Sequence, residues 1–478
     1  MPIKPITEDV LFASVRELGQ WIRSGEISAV ALAEGYLNRL ETLGPKLGAV
    51  ATVTRDLALK EALACETEIK AGRYLGPLHG IPYGVKDLLA TKGIPTTWGA
   101  APYKDQVFPE DATVIRKLRE AGAVLVAKLA MVELAGGFGY DTADASLTGP
   151  CRTPWNTDYW SGGSSSGPGA AVAAGLVAFA IGSETSGSII TPAAFCGVSG
   201  LRPTYGRVSR RGAMALSWTM DKLGPMCRCA DDCGLVLAAI AGPDPLDPSA
   251  AANPFKYPDG EMSKDSGKRL RIGVIKNSAT HVQPAVKDNF EASLPVLRDF
   301  ADVVDDVTFP SFDYDAITGT IIRAEGASAF LDLLESGRAR ELQCPSDRWG
   351  GYAAMTVLAV DYLQAMRIRS KVQQTLDKLY ADFDALVSPA RATVAYPISV
   401  NFQKAYPEVK GGAGPAVIPA GNLAGQPAIS VPNGLGSNSL PTGIQFTGRA
   451  WSEARILAIA EAFQKRTDWH KKRPPLKA

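Results

Sequence analysis

The segment that most constrains this 478-residue chain is 161–181, where Ser-Gly-Gly-Ser-Ser-Ser-Gly-Pro-Gly runs directly into Ala-Ala-Val-Ala-Ala-Gly-Leu-Val-Ala-Phe-Ala-Ile. Small apolar residues of this kind have to be enclosed by other structure. The stretch 170–181 is broken by Gly175 and is too short to span a bilayer, which takes roughly 20 apolar residues. It reads as a buried helix leading into a strand at 177–181. Flexible Gly/Ser linkers do not ordinarily lead into so apolar a helix, so the glycines and serines read as a tight turn with exposed N–H groups. Hydrophobic residues make up 46% and charged residues 21%, the balance of a globular protein able to bury a large core.

Around this segment the pattern is α/β. Residues 8–72 carry apolar residues at helical spacing, punctuated by Gly25 and Gly44-Pro45. From Ile81 onward short β-rich runs such as 123–127 follow helical ones such as 113–120, an alternation that argues for parallel strands covered on both faces. Five prolines within 242–268 exclude a helix or central strand there and suggest a surface linker. The alternation then resumes with a strand at 271–275, helices near 313–337 and 353–381, strands near 385–388, 427–432 and 443–446, and a helix at 452–466. The expected organisation is one domain over 1–478, with a helical part at 1–75, a core at 76–241, the linker, and the rest of the α/β core at 269–478.

Three segments carry chemistry. In His79-Gly-Ile-Pro-Tyr-Gly-Val-Lys-Asp87, Lys86 lies in an apolar, strand-like run, where burial would disfavour its ammonium form and make a usable base. A charged pair of Lys86 with Asp87 at a strand end is the plain alternative. The second segment is the glycine–serine turn with Ser164. The third, Ile181-Gly-Ser-Glu-Thr-Ser-Gly-Ser-Ile-Ile190, places Ser188 after Gly187 beside potential backbone donors, although a tight turn after a strand is the commoner use of such residues.

In order and spacing these segments resemble the amidase signature family, and the likeness continues through 189–209, 221–225, 422–430 and 467–470. The resemblance implies an α/β fold with a mixed central sheet flanked by helices on both faces. It implies a triad of Lys86, Ser164, held by a cis peptide, and the nucleophile Ser188, with the N–H groups of Thr185, Ser186, Gly187 and Ser188 forming an oxyanion hole. A serine hydroxyl needs a neighbouring base to become nucleophilic, and this constellation supplies one. The chain departs from many relatives at Glu184, Ser186 and Ile190. Ile190 stands where an arginine is common and removes a cation near the nucleophile, which argues against acidic substrates and against an amidotransferase role.

The expected function is therefore a serine amidohydrolase that cleaves an amide, anilide or carbamate, and esters, of a small, fairly apolar substrate. The alternatives are an amidotransferase A-type subunit that releases ammonia for a partner, and a non-catalytic binding protein. Met131, Phe138 and Tyr140 are the expected pocket-lining residues. Neither cofactor nor metal is expected: there are only three histidines, and Cys227, Cys229 and Cys233 lack zinc-type spacing. Gly163-Ser-Ser-Ser-Gly167 matches a nucleophile-elbow pattern centred on Ser165, but neither His281 nor His470 lies in a convincing catalytic context. Gly267-Lys268 is followed by Arg269, so no phosphate-binding loop is present. A formal charge of +1, from 50 Lys and Arg against 49 Asp and Glu, points away from nucleic acid and anionic membranes. With an odd number of cysteines and no leader-like apolar stretch at the start, the expected location is cytoplasmic; a homodimer is left open.

Overall fold

The computed structural model describes residues 4–257, 269–409 and 416–476. Among them one sheet has eleven strands: β1 (Val50–Val53), β2 (Pro82–Lys86), β3 (Val124–Leu129), β4 (Phe179–Glu184), β5 (Ser199–Arg202), β6 (Lys222–Cys227), β7 (Leu270–Ile275), β8 (Ala301–Val307), β9 (Ala385–Pro389), β10 (Ala428–Leu435) and β11 (Pro441–Thr447). Their order across the sheet is β1-β3-β2-β4-β6-β5-β10-β11-β9-β7-β8. Strands from both sides of 242–268 thus join one sheet. Every residue of β2, β3, β4 and β6 is buried, as the apolar runs in the sequence demand.

The sheet is mixed. β2 runs parallel to β3 and β4, and β7 runs parallel to β8 and β9, whereas the middle pairs are antiparallel. The alternation in the sequence overstates the parallel share because parallel neighbours need a crossover of about a dozen residues or more. β10 and β11 are joined by only a short turn around Ser437–Ser439 and must run antiparallel.

Two local expectations need correction. Residues 8–72 are not wholly helical, since β1 interrupts them as an edge strand paired antiparallel to β3. Gly48, at φ +60°, stops the helix Ala29–Leu47, and the β-branched residues Val50, Thr52 and Val53 then favour extension. The stretch 242–257 is irregular but is no free linker. Asp244 accepts hydrogen bonds from Thr113 and Ser209 at 2.6 and 2.7 Å, Arg210 N donates to Asp247 at 2.6 Å, and Ala251 N donates to Gly206 O at 2.8 Å. Residues 258–268, including Gly267-Lys268, lie outside the described residues.

The glycine–serine turn and its small apolar run fold into the helix Ser166–Ala173, wholly buried, followed by β4. A Cβ on Gly167 would stand 2.5 Å from Ala130 N and Ala49 O, so only glycine lets this helix approach the end of β3 so closely.

Candidate active site

The parallel neighbours β2 and β4 end at the same edge of the sheet, the edge where open α/β sheets place their ligands. Lys86 closes β2, and Ser183 and Glu184 close β4. The turn 161–165 crosses above them, and the peptide between Gly163 and Ser164 is cis. The Lys86 ammonium group is fully buried and lies 2.6 Å from Ser164 Oγ and 2.9 Å from Ser183 Oγ. Burial pushes its pKa down to about 7, while the carboxylates of Asp221 and Glu184 pull the other way and are outweighed. The pairing with Asp87 does not form. Asp87 instead lies 3.0 Å from Lys128 Nζ and accepts from Thr97.

Ser188 sits between β4 and the helix Ile190–Cys196, and Ser165 N donates to its carbonyl at 3.2 Å, which ties the two serine-bearing turns together. Among the described residues nothing hydrogen-bonds the Ser188 hydroxyl, so the link from Ser164 to Ser188 is not closed in this structure. Such contacts commonly tighten only when substrate is bound. Gly187 adopts φ +89°, a conformation that favours glycine.

Glu184 explains which backbone donors stay available. Its carboxylate accepts from Ile189 N and Ile190 N at 2.8 and 3.0 Å, capping the short helix, while Thr191 N donates to Gly187 O. No acceptor among the described residues takes the N–H of Ser186, Gly187 or Ser188. Burial alone would raise the Glu184 carboxyl, but Arg202 at 2.9 Å, the Asn422 amide and the backbone donors hold it down at about 2. Glu184 therefore faces a buried ion pair and not the expected hole. Replacing it by glutamine would strand Arg202, which is equally buried, and is expected to lower unfolding stability by about 3–5 kcal/mol in urea titrations. An unchanged midpoint would show that the pair contributes nothing. On the other side, Thr185 Oγ1 donates to Asp221 at 2.6 Å, and Asp221 also accepts from Leu216 N and Ser217 N.

Two cavities approach this centre. The smaller, about 190 Å³, touches Ser183 and Thr185 and is walled mainly by Leu88, Met214, Leu216 and Trp218. The larger, about 450 Å³, includes Arg391, Phe402 and Ile418. It reaches the turn around Gly187 and Ser188 through Ile418, whose side chain lies 3.3 Å from where a Gly187 Cβ would stand.

Met131, Phe138 and Tyr140 line neither cavity. Met131 and Phe138 pack in the core, Phe138 edge-on to Phe330, and Tyr140 stands behind the larger cavity against Trp160 and Phe402. Ile190 is fully buried in the same aromatic cluster as Trp160 and Phe195. Ser165 is occupied by bonds to the backbone of Ser183, so it is no exposed elbow. His79 accepts from Leu75 N, and burial lowers its pKa; burial holds His470 at about 4. All seven cysteines are free, and no group of metal-ligating side chains occurs among the described residues. Among the described residues, too, no helix is long and apolar enough to cross a membrane. Sequence reasoning misses Ser183 as a second partner of Lys86, and it gives no role to Asp221, Arg202 or Asn422.

A buried lysine hydrogen-bonded to two serines thus lies beside a turn of N–H groups that have no acceptor among the described residues, at the end of strands in an α/β sheet. The chain belongs to the amidase family, whose model matches residues 31–457, and is an amide-cleaving enzyme. It is 35% identical to the A subunit of the glutamyl-tRNA(Gln) amidotransferase from Acinetobacter baumannii, over 96% of this chain and 97% of that one. Among solved structures it resembles the peptide amidase of Stenotrophomonas maltophilia, with TM-score 0.82 and 31% identity over 97% of this chain and 98% of that one. It also resembles a protein from a vestigial complex tied to the origins of an s-triazine catabolic enzyme. There the TM-score is 0.87, with 30% identity over 95% of this chain and 99% of that one.

Proposed function

We propose that the chain hydrolyses a carboxamide through an acyl-enzyme on Ser188, with Ser164 as proton relay and Lys86 as ultimate base. The observation that carries this reading is the buried Lys86 Nζ, 2.6 Å from Ser164 Oγ, with a pKa near 7. Neutral Lys86 takes the Ser164 proton as Ser164 takes that of Ser188, and Ser188 Oγ bonds to the carbonyl carbon. The oxyanion is held by N–H groups from the Thr185 to Ser188 turn, each worth roughly 2.7–4 kcal/mol in such sites. The proton then passes back to the leaving nitrogen as the C–N bond breaks, and water releases the acid. Purified protein, a serine-directed label with intact mass, and a panel of amides, carbamates and esters test this reading. Neither label nor turnover would favour the binding-protein alternative.

Two finer readings share that chemistry. Relatives such as the glutamyl-tRNA(Gln) amidotransferase A subunit, 35% identical, favour an amidotransferase A-type subunit that passes ammonia to a partner. Co-purification of a partner protein, with ammonia release dependent on it, supports this reading. The apolar surroundings of Ile190 and of the smaller cavity favour a free-standing hydrolase of an apolar amide, carbamate or ester, which turns over alone.

Ser183 acts here as a positioning residue, since its hydroxyl gives Lys86 a second hydrogen-bond partner beside Ser164. Ser183→Ala is expected to lower kcat for amides about tenfold with KM little changed, and to shift the acid limb of the rate profile. An unaltered profile would leave Ser183 a packing role only.

A further inference from the structure

The larger cavity holds a cation that the chemistry above does not use. Arg391 follows β9, and its guanidinium has no carboxylate within ion-pair distance among the described residues. Among the described residues its one side-chain hydrogen bond is long, 3.5 Å from Nη2 to Tyr396 Oη, and its buried Nε has no acceptor. Leaving a buried charged donor unmet is unfavourable, and native proteins seldom do so without a ligand or function to explain it. The hydroxyls of Ser278 and Thr393, on the same cavity wall, are also buried and have no hydrogen-bond partner among the described residues. The other titratable groups facing the space are Asp315, His281, Tyr396 and Tyr406. Asp315 stands exposed and beyond ion-pair distance from Arg391, so the charge attraction between them is not a direct contact that occupies the guanidinium.

The rest of the lining mixes apolar side chains, among them Phe402 and Ile418, with the polar Ser388 and Gln445. Phe402 stacks on Trp160 at 4.4 Å, and Ile418 abuts the Gly187 turn. Ala390, Tyr396, Phe402 and Ile418 all pack into the cluster that contains Ile190. The side chain at 190 offers no charge, yet a cation stands in the cavity adjoining its cluster, supplied by a distant part of the chain.

We propose that Arg391 is a specificity-determining residue that selects an amide whose far end carries a carboxylate, with an apolar segment between that carboxylate and the scissile carbonyl. The inference rests on Ser188 being the nucleophile. A planar guanidinium with free N–H groups matches a carboxylate in geometry and charge, and the orphaned hydroxyls can donate to the same anion. The apolar side chains of Phe402 and Ile418 then favour a carbon chain of matching length.

The test is p-nitroaniline release from the mono-p-nitroanilides of succinic, glutaric, adipic and suberic acids, each against the uncharged alkanoyl p-nitroanilide of equal length. With wild type, the acid is expected to exceed its uncharged partner in kcat/KM at one preferred length, on the order of 10- to 100-fold. Arg391→Gln removes that preference, Arg391→Lys restores part of it, and rates on the uncharged series stay within about twofold, which shows that the variants fold. A preference equal at all lengths, absent in wild type, or surviving Arg391→Gln overturns the proposal. Binding of the same compounds to Ser188→Ala, followed by tryptophan fluorescence, separates the two claims. Arg391-dependent preference for the acids without any wild-type turnover would count against the cleavage reading alone. Binding that ignores charge or Arg391 would count against this one.

Discussion

Ser188→Ala is expected to abolish amide turnover, with kcat lower by on the order of 10⁴- to 10⁶-fold and labelling by a serine-directed reagent lost. Ser164 and Ser165 of the glycine–serine turn are engaged elsewhere. Ser165 is bonded on both sides to the backbone of Ser183, and Ser164 is held by Lys86 in a fully buried position. The alanine removes no hydrogen bond that the fold uses, so the thermal midpoint should stay within about 1–2 °C of wild type. Loss of activity with an unchanged midpoint is therefore a chemical effect. The residual rate measures what the open N–H groups of the turn contribute without a nucleophile. Ser164→Ala should fall short of this loss and spare esters more than amides, because an alkoxide leaves with less help than an amine. Wild-type rates in the Ser188 variant, or a label that persists at another serine, would end the account.

The site is legible in the sequence wherever its chemistry is written locally. Lys86 is conspicuous because its strand neighbours are apolar or small, and Ser164 and Ser188 because glycines frame them. Ser183 is not legible. It is a serine in a strand, and what makes it matter is Lys86, 97 residues earlier in the chain. From sequence Glu184 reads as a neighbour of the hole, yet it anchors the helix after it, since its partners Arg202 and Asn422 come from β5 and from the helix Val417–Ala424. Met131 and Phe138 suggest a pocket only by being apolar, and apolar residues go to the core by default. Arg391 shows the reverse problem. Residue 190 invites an argument about the charge of the pocket from one position, while the cation that faces the space arrives from another strand end. The strands that the pattern places lie within a few residues of where it puts them, but it places none at β1, β5, β6 or β8, and β1, a short edge strand between two helices, leaves no periodic signal.

The second large effect concerns Lys86 and has a sign that can be worked out. Its pKa is lowered from 10.5 to about 7 by burial, and only the neutral amine can accept the Ser164 proton. The kcat/KM for amides should therefore fall about tenfold per pH unit below roughly pH 7 and level off above it. Lys86→Ala should lower amide turnover by roughly 10³- to 10⁴-fold and flatten that limb. The same shift is a statement about stability. Between about pH 7 and 10.5 the unfolded chain binds a proton at Lys86 that the folded chain does not, so this group's contribution to stability improves as pH rises through that window. Below pH 7 the penalty for burying the ammonium is complete. Lys86→Met removes it and leaves a pH-independent offset from the unpaired Ser164 and Ser183 hydroxyls. The stability difference between Lys86→Met and wild type should accordingly favour the variant most at pH 6 and shrink steadily toward pH 10. A difference that does not change with pH would mean that Lys86 keeps an ordinary pKa in the folded protein, and that the base for Ser164 has to be sought elsewhere.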